Sequence, residues 1–310
     1  MYNYLGYIAV YGWCFITAFS MLLTSEVSQR LSPFIVCFFT FSLATLVFLF
    51  LNYYTSNLST LWQRIQNKGM ASSVLGINVS TFISWGLMIY PLTYLQPTLV
   101  ATLILGINPI ATAIITRFYL KKTSPRKLVG NSLALFVIII FLTYKVLHGE
   151  NSIPGSNDMQ IISSLICCYF SGFATSVNNI FSKKIMANDF GVRDVLCLRF
   201  YMTIIISGII GFSTHHVIYN QDLLFSIILT TFVFVVIPLM LLQFALKKLD
   251  PLRVAIISPS MPVMVIILQL LSNVTALTYS TVLATMAIWL ITSLGTYFSI
   301  KNPINLRNIK

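Results

Sequence analysis

Ten stretches of roughly twenty apolar residues, parted by short polar loops, restrict what this chain can become. Each is close to the ~20 residues that carry an α-helix across a bilayer. They run over residues 4–24, 33–54, 70–90, 97–116, 128–147, 159–181, 195–213, 223–246, 252–271 and 279–300. None shows the strict alternation of a membrane strand. Lipid offers no hydrogen bonds to the main chain, so spanning segments of this length are expected as helices. Charge sharpens the point: only 8% of the 310 residues are charged and 57% are hydrophobic, against about 25% charge in soluble domains. With a mean hydropathy of +0.87, the bilayer is the expected solvent. The first stretch lacks a basic leader and a small-residue cleavage site, so it reads as a retained span rather than a signal peptide.

A short phrase occurs twice. Leu95-Gln96-Pro97-Thr98-Leu99-Val100-Ala101 returns as Leu249-Asp250-Pro251-Leu252-Arg253-Val254-Ala255, and each copy opens the fourth long apolar segment of a half. Five spans per half predict two repeats, over 1–150 and 156–310, with the polar stretch near His148 to Asp158 as the seam. An odd number of spans turns the second repeat upside down relative to the first, as in many secondary transporters. The predicted fold is an all-α membrane protein of ten transmembrane helices, arranged as two inverted five-helix repeats around a central cavity.

Basic residues set the expected orientation. If the N-terminus is cytoplasmic, sixteen Lys and Arg residues fall on the cytoplasmic side, among them Arg64, Lys121, Lys122, Lys183, Lys247, Arg307 and Lys310. Only Arg30 and Lys145 fall opposite, which is a strong positive-inside bias. Both termini are therefore expected in the cytoplasm, with the protein in the plasma (inner) membrane.

Polar and helix-breaking residues at membrane depth mark the expected cavity. Pro97 and Pro251 suit the first turn of a helix, with Gln96 and Asp250 as possible caps. Pro109 and Pro262 lie near mid-span, where a proline removes a backbone bond and distorts the helix. They are read as kinks that permit gating, beside Asn108 in one span and Ser258 and Ser260 in the other. Asn78, Ser84, Trp85, Asn108, Ser258 and Ser260 are expected as solute contacts, with Trp13 as an aromatic wall. For any one of them, plain helix-to-helix hydrogen bonding competes with that role. Arg199 is the one charge well inside a span; it sits about a turn from the cytoplasmic end, where its head can snorkel outward. The alternative is a contact with an anion or a gate.

Several functions are disfavoured. All seven acidic residues lie at span ends or in loops, so a proton relay through a buried carboxylate has no obvious carrier. Cys14, Cys37, Cys167, Cys168 and Cys197 sit within apolar runs without metal-ligand spacing, and His148, His215 and His216 fall in loops. No metal, cofactor or enzyme constellation is expected, and no Gly-x4-Gly-Lys-Ser/Thr phosphate loop occurs. The net charge of +12 belongs to segments beside the spans rather than to a nucleic-acid surface.

Over residues 92–130 the chain sets a Pro-x-x-Val-Ala helix start, the mid-helix Pro109, a basic loop and a closing Gly130 in order. In this it resembles the drug/metabolite transporter superfamily, in its ten-span EamA-like branch. Arg199 within Cys197-Leu198-Arg199-Phe200 looks like the arginine that members often carry early in the seventh span. The chain departs from the pattern at Lys121, where members often place a glutamate, and near Asn273, which lacks an acid. The resemblance implies a basket-like bundle whose cavity is lined by the third, fourth, eighth and ninth helices, with the first and sixth contributing. It also implies a transporter of amino-acid-like, nucleotide-like or amphipathic metabolites, with export favoured. The other reading is a non-transporting membrane scaffold or assembly partner.

Overall fold

The computed structural model describes residues 2–30, 32–54, 58–118, 126–148, 153, 155–214, 221–272 and 278–301. Lys121, Lys122, His215, His216, Arg307 and Lys310 lie outside the described residues. Nine helices among the described residues are long and apolar enough to cross a membrane, and a shorter apolar one, Tyr279–Gly295, belongs to the last helix. All ten expected spans are present as helix, and Pro33, Pro97 and Pro251 each begin one, where the missing N–H costs nothing. The expected Asp250 cap is not made: its side chain forms no bond to the helix start, and the backbone alone turns the chain.

Packing follows a two-fold pattern. The second span packs on the seventh and the fifth on the tenth; the first lies against the eighth and ninth, and the sixth against the third and fourth. Exchanging each span of one half for its counterpart in the other maps the first two pairings onto themselves and swaps those of the first span with those of the sixth. The fourth span is the most enclosed, with 83% of its apolar window buried, whereas the fifth has 28%. Outward faces carry large apolar side chains such as Leu46, Phe141, Ile209 and Leu271, which suit lipid rather than water.

One element goes beyond the ten spans. Leu58–Asn67 forms a separate amphipathic helix that buries Leu61 and Ile65 and leaves Trp62 exposed. It docks on the loop between the sixth and seventh spans: Arg64 donates to the Asp189 carbonyl (2.6 Å) and stacks over the Phe190 ring, and Lys68 donates to the Asn188 carbonyl (2.7 Å). On this same basic face, Lys183 donates to the carbonyls of Leu246, Lys247 and Leu249 at the end of the eighth span.

Four spans are irregular, the third and eighth near their middles, the seventh near its start and the ninth about a third of the way along. The third is α-helical over Ala71–Thr81, passes through a π turn at Phe82–Gly86 and resumes at Leu87–Ile89. The eighth has a matching π turn at Thr231–Val236, a similar distance from its start. The seventh is interrupted between Val192–Cys197 and Tyr201–Thr214, and the ninth tightens to a 3-10 turn at Ser258–Ser260. Pro262 follows that turn as the second residue of Met261–Ser272, so the distortion falls just before it. Pro109, by contrast, lies inside a helix that continues across it, Pro97–Phe118.

Candidate functional site: a cavity between the two halves

The irregular turns meet at the centre. Trp85, in the π turn of the third span, meets Phe234, in that of the eighth, edge-on at 5.2 Å between ring centroids. Trp85 also meets Phe41 of the second span at 5.6 Å, and Phe41 stacks on Phe200 of the seventh at 5.2 Å. Beside this aromatic row lies a cavity of about 40 Å3. Pockets for drug-sized ligands span about 300–1,000 Å3, so the walls stand close together in this conformation. Its lining comes from the first, third, fourth, sixth, seventh, eighth and ninth spans. The seventh is an addition to the set implied by resemblance.

Four of the sequence-predicted residues, Trp13, Ser84, Trp85 and Arg199, line this cavity. Arg199 does not snorkel. It is 1% exposed, and the interruption of the seventh helix leaves it facing inward, where its Nη2 donates to Asn178 Oδ1 at 2.7 Å. Asn178 is held for that task, because its Nδ2 donates to Thr81 Oγ1 (2.6 Å) and Ser80 Oγ (3.3 Å) of the third span. The Arg199 guanidinium also lies 5.4 Å from the centroid of the Phe200 ring, within range of a cation–π contact.

The other predicted residues lie behind the lining. Asn78 bridges the break in the seventh span: its Nδ2 donates to the Leu198 carbonyl (2.6 Å) as well as to Val74, and its Oδ1 accepts from Met202 N–H (3.4 Å). One amide thus serves the end of one helical piece and the start of the next, where backbone groups have no intrahelical partner. Asn108 accepts from Ser176 Oγ of the sixth span at both its Oδ1 (2.7 Å) and its carbonyl (3.0 Å). Ser258 donates to Val254 O within its own span (2.7 Å). Ser260 donates to Cys14 Sγ, and Cys14 in turn to the Ser258 carbonyl, each at 3.8 Å, which ties the first span to the 3-10 turn. Pro109 and Pro262 are absent from the lining.

Asn78→Ala removes three bonds, two of them across the break. Membrane hydrogen bonds average about 0.6 kcal/mol, with a maximum near 1.7, so the expected loss is about 2 kcal/mol. A lowered thermal midpoint in detergent checks this, and an unchanged midpoint excludes the bridging role.

The lining also contains residues the sequence did not single out. Thr17 lies one helical turn past Trp13 on the same face, a spacing that marks shared faces. Met21, Met88 and Met261 supply adaptable apolar walls. The spacing of Trp13, Thr17 and Met21 along one helix face was readable; which face turned inward was not.

The profile of the EamA-like transporter family matches residues 4–143 and 162–297, one copy on each half of the bundle. A solved structure described only as "Crystal structure of protein" superposes with a TM-score of 0.68 at 15% identity, over 97% of this chain and 98% of that one. At that identity the likeness is one of fold alone. No curated protein matches the chain. Two copies of the profile on an all-helical bundle that encloses a cavity between its halves place the chain in the EamA-like transporter family, a family of multi-pass membrane transporters within the drug/metabolite transporter superfamily.

Proposed function

We propose that this protein is a secondary transporter that moves a small organic metabolite through the central cavity by alternating access. The repeats 1–150 and 156–310 would act as its two halves. The observation that carries this reading is that helix distortions from both halves, at Phe82–Gly86 and Thr231–Val236, meet through Trp85 and Phe234 beside one cavity, which Trp85 and Arg199 line. π turns gather at functional sites, and irregular backbone at membrane depth is tolerated where it faces protein or a cavity. Trp13, Ser84, Trp85 and Arg199 form the wall in this reading. Asn78, Asn108, Ser258 and Ser260 hold the distorted helices behind it, and Pro109 and Pro262 mark the spans that flex. The clustering of Arg64, Lys68, Lys183, Lys184, Lys247 and Lys248 at helix ends supports a cytoplasmic basic face with both termini on that side of the plasma (inner) membrane. Export is the proposed direction, by resemblance to the family.

The test is a cysteine at position 85, in a chain whose five native cysteines are replaced. Impermeant thiol reagents applied from each face are expected to label it alternately, with solute shifting the balance. Protection from both faces under all conditions would favour a scaffold over a transporter.

A further inference from the structure

The cavity wall holds more hydrogen-bond donors than acceptors. Arg199 uses one of its N–H groups on Asn178, while its Nε and Nη1 are buried without a protein partner. The cavity lining contains no Asp or Glu. Asp194, five residues before Arg199 in the chain, is already engaged: its Oδ1 accepts from Asn52 Nδ2, and its Oδ2 faces Gly191 N and Arg64. Two further lining side chains, Trp13 Nε1 and Thr17 Oγ1, are also buried without a partner, at 5% and 3% exposure. Indole and guanidinium nitrogens only donate. A buried cation in a wall of this kind is normally paired or marks a solute path.

We propose that the transported solute is an organic monoanion, whose carboxylate is taken by Arg199 and whose apolar body lies against Trp13, Trp85 and the three methionines. This rests on the transporter reading above and names the substrate class of that site. An acceptor-only group complements donor-only neighbours, and a planar guanidinium matches a carboxylate through two parallel N–H bonds. A single guanidinium meets a single negative charge; a dianion would bring a second charge that no other lining cation balances. An ammonium on the solute would find no carboxylate in the wall. At the basic face, Arg193, Lys247 and Lys248 line an open groove of about 410 Å3, with Asp194 as its one acid. Such an excess of positive charge raises the local concentration of anions.

The experiment uses the full chain in lipid nanodiscs, with tryptophan fluorescence as the readout, since Trp13 and Trp85 line the cavity. Four probes share one ring and differ in charge: phenylacetate, phenylacetamide, phenethylamine and phenylalanine. Phenylacetate is expected to give a saturable change with an affinity at least roughly tenfold better than the other three, the scale set by hydrogen bonds to charged groups. Arg199→Gln is expected to abolish that preference and Arg199→Lys to retain part of it. The wild-type series needs no variant, so a folding defect in Arg199→Gln does not remove the test. Equal binding of the amide or the amine, saturation by none of the probes, or an unchanged preference in Arg199→Gln would each overturn the monoanion. Alternating labelling at position 85 reports separately on transport: if it persists while the charge preference fails, the transporter stands and only its substrate class falls.

Discussion

Gly172→Val is expected to prevent the chain from accumulating as a folded protein. A Cβ at this position would stand 2.6 Å from the Ile104 carbonyl oxygen and 3.2 Å from Ile107 Cβ. The nearer atom belongs to the main chain of the fourth span, so no side chain can swing aside. The fourth and sixth helices would have to part. Pushing the sixth helix back would break the Ser176 Oγ bonds to Asn108 and pull on the Ser171 Oγ bond to the Ser84 carbonyl of the third span (2.5 Å). Overpacking costs about 1–3 kcal/mol when neighbours can shift, and each buried group left unsatisfied adds about 1–3 kcal/mol. The sum, above about 5 kcal/mol, is comparable with the whole stability of many proteins. Gly130→Ala is the control, since nothing lies within 4 Å of its added Cβ. Size-exclusion profiles in detergent distinguish the two, and a monodisperse Gly172→Val protein with an unaltered thermal midpoint would refute the close-contact explanation.

Asp194→Ala is expected to be the next most damaging change, at about 3 kcal/mol. Its carboxylate is 7% exposed as a residue and joins three elements. Asn52 Nδ2 of the second span donates to it at 2.9 Å, Gly191 N–H at the start of the seventh span at 2.9 Å, and Arg64 of the amphipathic helix at a longer 3.5 Å. Bonds to charged groups contribute about 1.5–3 kcal/mol each. The Arg64 contact is discounted because that side chain is 36% exposed and solvent screens it. Lys68→Ala provides the contrast. Lys68 donates to the exposed Asn188 carbonyl and pairs with Asp189 at 3.0 Å, whose side chain is 89% exposed, and such surface contacts contribute less than about 1 kcal/mol. Thermal midpoints of the two variants should differ clearly. Equal midpoints would mean that the buried carboxylate does not join these elements.

The contrast between Asp194 and Arg199 shows what a sequence alone can disclose. The spans were legible because a bilayer fixes their length, and Pro33, Pro97 and Pro251 announce helix starts through their missing N–H. Arg199 was legible as an oddity, one charge in an apolar run. Its inward aim was not, because it depends on the break at Leu198–Phe200 and on Asn178 being held by Ser80 and Thr81. Asn78 stood out as a polar residue at depth, yet its partners are main-chain groups that only this break releases. The two π turns leave no mark in the residues themselves; in the third span the Ser84 carbonyl within the turn accepts a bond from Ser171 of the sixth, a partner distant in sequence. The amphipathic helix was readable: Leu58, Leu61, Trp62 and Ile65 recur at helical spacing, but the segment is too short and polar to register as a span.

The exchange of the first and sixth spans between the halves bears on how the molecule would rearrange. The first packs on the eighth and ninth, fastened through Cys14 to the Ser258–Ser260 turn; the sixth packs on the third and fourth, fastened through Ser171 and Ser176. Packed helices can move as rigid bodies about the interfaces between them. These fastenings set each opening helix with the third and fourth helices of the other half, so one rocking body would consist of three, four and six and the other of eight, nine and one, meeting where the fourth span packs on the ninth. The genetic unit and the mechanical unit of this carrier would then differ by one helix apiece.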